Sequence, residues 1–167
     1  MKQVCWSLLM FGFLGWGQQA WTDRNRIYPD KLKQLPVALT LYHTPNPDHP
    51  EPSDSDGVAY EWVHETCITP LRSDLQIVEV GSFIWTKANG WIQNMELGKR
   101  EFKKRFGATA SKLIKGKTYC YPKNTRLGNE LFAGDALWYV LAEDQEGQRY
   151  KGVGIIETEA TLKIDEP

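Results

Sequence analysis

Polar and apolar residues alternate along much of the chain after residue 57. In Val58-Ala59-Tyr60-Glu61-Trp62-Val63-His64-Glu65-Thr66-Cys67, Val58, Tyr60, Trp62, His64 and Thr66 fall on one face of an extended strand. Ala59, Glu61, Val63, Glu65 and Cys67 fall on the other. Val37 to Tyr42 predicts an earlier strand, and Leu75 to Trp85 a long one with Gly81 as a bulge position. Thr86 to Gly90 is a hairpin turn, because Asn89-Gly90 readily takes positive φ, and Trp91-Ile92-Gln93 starts the return. Further strands are predicted at Lys117 to Tyr121, ended by Pro122, then at Ala136 to Ala142, Arg149 to Ile156 and Thr158 to Ile164.

One segment has helical spacing. In Asn94 to Phe106, Phe102 and Phe106 lie four apart, Asn94 can cap the start and Gly107 suits the left-handed position after the end. No repeat and no strand–helix alternation appears. The pattern predicts an all-β fold: a two-sheet antiparallel sandwich of Ig-like or cupredoxin-like architecture, with a short helix inserted near 94–106. A barrel is the second choice. Trp138 and Tyr139, adjacent on one strand, must face opposite ways.

Two stretches break the pattern. Residues 44–57 carry four prolines among polar residues, which excludes helix and central strand and predicts a long loop. Residues 1–17 combine Lys2, a short apolar run and small residues near Gly17, the plan of a cleaved signal peptide. The run is shorter than the roughly 20 apolar residues that span a bilayer. The organisation is therefore 1–17 signal peptide, 18–36 extended lead and 37–165 a single sandwich domain. The expected location is secreted or periplasmic, with no transmembrane segment in the mature chain.

Charge adds little. The chain has 20 basic and 21 acidic residues; losing Lys2 leaves 19 against 21, a net of −2. No global field points to nucleic acid. Cysteine adds more. Cys5 leaves with the signal, so Cys67 and Cys120 form an even pair in an exported chain, which predicts a disulfide. It would close a loop of about 54 residues and contribute roughly 3–4 kcal/mol by chain entropy.

Four features could carry chemistry. His43, His49 and His64 fall in a stretch rich in carboxylates, among them Asp48, Glu51, Asp54, Asp56 and Glu61, with no Lys or Arg between Lys33 and Arg72. Neutral imidazoles beside carboxylates suit zinc or copper, though the spacing matches no metal motif. A basic run holds Lys99, Arg100, Lys103, Lys104 and Arg105, and Lys99 with Lys103 can line an outward helix face that docks an anion. Trp85, Trp91 and Trp138 could form a row for sugar rings. Glu79, between two valines, is read as a structural ion pair, with Arg126 as one partner.

Catalytic motifs are missing: there is no nucleophile elbow, no zinc-protease helix and no phosphate-binding glycine loop. The sequence therefore reads as an exported non-catalytic binding module for a glycan, an anionic envelope component or a protein partner, needing no cofactor. The alternatives are a sandwich binding zinc or copper through His43, His49 and His64, and an enzyme whose site cannot be read from spacing.

Overall fold

The computed structural model describes residues 26–108 and 112–163, so the predicted signal peptide lies outside the described residues. Nine strands among them form two antiparallel sheets, a β-sandwich. The elements are β1 (Leu39–Thr44), β2 (Glu51–Pro52), β3 (Tyr60–Pro70), β4 (Leu75–Thr86), β5 (Gly90–Leu97), α1 (Lys99–Phe106), β6 (Lys112–Leu113), β7 (Tyr119–Gly128), β8 (Gly134–Glu143) and β9 (Arg149–Thr158).

In the first sheet, β3 is central. β1 and β2 pair with it in succession, from Leu39↔Pro70 to Thr44↔Glu65 and then at Glu51↔Glu61, while β7 pairs with it from Tyr60↔Gly128 to Ile68↔Tyr119. In the second sheet, β4 carries β5 and β6 on its flank and β8 on the other, and β9 follows β8. The alternation read in β3 is real: Trp62, His64 and Thr66 are all buried.

The second sheet has two apolar faces. Val80, Trp138, Val140 and Ile156 join the core between the sheets. Phe83, Leu137, Tyr139 and Leu141 form a second cluster with Leu32, which a 3₁₀ turn at Asp30–Leu32 lays across the outer face. The adjacent pair Trp138 and Tyr139 is divided between these two cores. Lys31 anchors the cover through Glu79, at 2.5 Å, and through Tyr139 Oη, at 2.8 Å. Glu79 is therefore in an ion pair, as expected, but with Lys31 rather than Arg126. Burial pushes its carboxyl pKa up, and the bonds from Lys31 and Tyr139 more than reverse this, leaving it lowered.

One side of the sandwich is closed by close approach of backbones. Lys151 accepts from Ala38 N–H at 3.2 Å, and β1 then crosses β9. A Cβ on Gly154 would stand 2.5 Å from the Leu41 carbonyl oxygen, and one on Gly152 2.8 Å from Leu39 Cβ. Only glycine lets the strands meet this closely.

Several boundaries differ from the sequence reading. The helix begins at Lys99, not Asn94, because Asn94 stays in β5 and donates to Ser82 Oγ at 3.1 Å. Gly98 stands at the N-cap position without a side-chain cap, and Gly107 closes the helix with φ 62°. Pro122 does not end β7. It lies on an edge strand, at a register shift where Pro122 and Lys123 together oppose Glu65, so no ladder bond is needed from its nitrogen. The shifts in β4 fall between Ile77 and Glu79 and between Ser82 and Phe83 rather than at Gly81. No separate strand forms at 159–163, where the chain leaves β9 to run beside the proline-rich loop, with Lys163 N–H donating to Pro50 at 3.1 Å.

The Cys67–Cys120 disulfide is present and joins directly opposed residues of β3 and β7, within one sheet. Among the described residues no helix is long and apolar enough to cross a membrane.

Candidate functional site

Opposite the closed side, β5 and β7 are the unsealed edges of the two sheets, and α1 covers one end of the gap. A cleft of about 230 Å³ lies there. The second sheet supplies Ile84, Asn94, Met95, Ala136, Trp138, Ile156 and Thr158; β3 and β7 supply His64, Asn124, Thr125 and Arg126; α1 supplies Arg105.

His64 reaches this cleft because strand alternation turns its side chain inward, where it is 5% exposed. Its orientation comes from the proline-rich loop. That loop is tied along β9: Asp48 N–H donates to Glu157 at 2.8 Å, Glu159 N–H donates to Asp48 at 2.8 Å, and Asn46 Nδ2 donates to Ile155 at 2.8 Å. Asp48 is thereby carried into the interior, 1% exposed, with Oδ2 2.9 Å from His64 Nδ1. A carboxylate only accepts, so Nδ1 carries the hydrogen, and in the neutral tautomer the lone pair is on Nε2. That nitrogen is buried and has no hydrogen-bond partner among the described residues. A buried acceptor without a donor costs about 1–3 kcal/mol.

A second polar group lies beside the first. His43 Nδ1 is 2.9 Å from Thr66 Oγ1, which also accepts from Asn124 Nδ2 at 2.8 Å. The two imidazoles meet edge to face at 5.3 Å, and His43 also lies edge-on to Trp138 at 6.1 Å. Burial first, then the neighbouring His64, pushes the His43 pKa down to about 3, against an opposing contact with the Gly154 backbone. His43 is thus a neutral ring at physiological pH.

The arginines complete the wall. Arg126 lies 3.9 Å above the Phe132 ring, which itself stacks on Trp62 at 4.1 Å. Burial lowers its pKa. Arg105 donates to Tyr121 Oη at 3.3 Å. The cleft lining contains no Asp or Glu.

The predicted site residues are thus partly united. His43 and His64 come together; His49 does not join them and instead contacts the Thr161 carbonyl at 3.1 Å. Among the described residues, the one trio of His, Cys, Asp and Glu with ligand atoms within 4.8 Å is Glu65, Cys67 and Cys120, whose sulfurs are tied in the disulfide. Trp138 lines the cleft from inside, whereas Trp85 and Trp91 meet edge to face at 5.2 Å beneath Arg26, so the three make no common row. Lys99 and Lys103 are exposed on α1, away from the buried Phe102 and Phe106.

Of the polar cleft residues, sequence reasoning gave Asn94, Asn124, Thr125 and Thr158 no binding role, placed Arg105 only in the basic run and read Arg126 only as a partner for Glu79. Arg105 stood within the basic run, and its position one residue before Phe106, at the edge of the buried face, was the available signal. No family model, curated protein or solved structure matches this chain.

Proposed function

We propose that this β-sandwich is an exported, non-catalytic binding module whose ligand sits in the cleft between the sheets. The observation that carries the reading is His64 Nε2: a buried acceptor, aimed by Asp48, on the wall of a cleft and without a donor of its own. A bound molecule would supply that donor. At about 230 Å³ the cleft is smaller than the roughly 300–1,000 Å³ of sites for drug-sized ligands. This favours a small envelope molecule over a protein segment. The divided tryptophans do not support a flat glycan platform.

The test uses ligand-observed NMR of a small-molecule library against the full chain and against Ile84→Trp. Ile84 is half-buried, stands opposite the inward-facing Ala136 and lines the cleft, so tryptophan there narrows the opening from the rim. Ligands that bind the wild type and are lost in the variant support the reading. Ligands that bind both equally, or none at all, overturn it.

Zinc or copper is a second reading, favoured by the pairing of His43 with His64 and by Asp48 behind His64, an arrangement common behind metal-bound imidazoles. Titration of each metal against wild type and His64→Gln separates it from the first: stoichiometric binding lost in the variant would support it.

A further inference from the structure

We infer that the ligand of this cleft is a small hydroxy acid, its carboxylate held by Arg105 and Arg126 and its hydroxyl donating to His64 Nε2. This inference rests on the cleft-binding reading and gives the ligand a chemical class.

Three observations converge. The first is charge. Two guanidiniums line the cleft, no carboxylate does, and neither arginine has a carboxylate ion-pair partner among the described residues. The charged neighbours of Arg105 on its outer side are Glu101, Lys104 and Lys123, predominantly positive. A partly desolvated cation gains most from a bound anion, and the planar guanidinium matches a carboxylate in two-point geometry. Arg126 is already held flat on Phe132, so little rotamer freedom remains to be lost on binding.

The second is the imidazole. With its hydrogen on Nδ1 toward Asp48, the Nε2 of the neutral tautomer is an acceptor, and the groups that satisfy it are hydroxyl, amide or amine donors. An ammonium would bring positive charge beside two arginines, which favours a neutral donor, and hydroxyl is the smallest one that fits a cleft of about 230 Å³. The third is the rest of the wall. Ile84, Met95, Trp138 and Ile156 present apolar surface to the body of the ligand. The complementary molecule is therefore an anion at one end, a hydroxyl near it and a short apolar remainder.

The experiment titrates the full chain with 2-hydroxy-4-methylpentanoate, 3-hydroxybutyrate and mandelate, following tryptophan fluorescence and calorimetric heat. Each is compared with its methyl ester and its deoxy acid. At least one hydroxy acid should bind, with affinity falling about tenfold or more for the ester and for the deoxy acid. Arg126→Gln should weaken the acid about tenfold or more and leave the ester unchanged. Arg105→Gln, at a half-buried helix position, gives a second variant should Arg126→Gln fail to fold. Equal binding of acid and ester, or an unchanged acid affinity in the arginine variants, would overturn the hydroxy-acid inference while the cleft reading stands. Silence from acids, esters and deoxy acids alike would overturn the inference, and equal occupancy of wild type and Ile84→Trp in the library screen would separately sink the cleft reading.

Discussion

Asp48 Oδ2 and His64 Nδ1 lie 2.9 Å apart in the sandwich interior, although one comes from a proline-rich loop and the other from a central strand. The pair decides which nitrogen of His64 faces the cleft. Asp48→Asn keeps the shape and can turn an amide N–H toward Nδ1. The expected result is a change of tautomer, seen in long-range ¹H–¹⁵N spectra of the imidazole, with a stability loss of about 1–3 kcal/mol in urea. An unchanged tautomer would show that Asp48 does not set it.

Acid stability should respond to two groups of opposite sign. The His43 pKa is depressed from 6.5 to about 3, so below pH 6.5 the unfolded chain binds the extra proton and His43 makes stability fall as pH drops toward 3. Glu157 is raised from 4.5 to about 7 by burial, then by Glu159 and Asp135, with Arg26 and His49 pulling the other way. Its contribution is present below pH 4.5 and is lost as pH rises toward 7. Between pH 4.5 and 6.5 the two oppose each other. Urea titrations across this window should therefore tilt in opposite directions for His43→Gln and Glu157→Gln, by at most about 1.4 kcal/mol per pH unit for one proton. Parallel slopes in both variants would contradict this assignment.

Gly154→Ala places a methyl 2.5 Å from the Leu41 carbonyl oxygen and 2.6 Å from Leu41 Cδ2. Overpacking of this kind costs about 1–3 kcal/mol. Gly134→Ala meets nothing within 4 Å and should stay within about 0.5 kcal/mol of wild type. Similar denaturation midpoints for the two variants would show that β1 and β9 can separate cheaply.

The disulfide spans a sequence separation of 53 residues between neighbouring strands. Replacing Cys67 and Cys120 together by Ala should lower stability by about 2–5 kcal/mol, read as a shift of the urea midpoint. The wild type in reducing buffer should shift likewise.

The sandwich was legible because local signals agreed: alternation in β3, the Asn89-Gly90 turn and the paired aromatics of α1 all describe short-range geometry. The helix start was not, since Asn94 is a good cap in isolation but pairs within β5 in the fold. Pro122 misled for a similar reason: whether proline ends a strand depends on whether that strand is an edge. His43 and His64 were found from composition. Their separation from His49, and the convergence of Arg105 with Arg126, depend on contacts between distant segments that no spacing encodes.

The turn at Asp30–Leu32 has a consequence for how the molecule tolerates being cut. It shields Phe83, Leu137 and Leu141, an apolar patch on a sheet already filled on its other side. A protein shortened to begin at residue 37 would keep its cleft and its disulfide, yet offer that bare patch to a second copy. Stickiness in such a shortened form would then report on a missing lid, not on a damaged core.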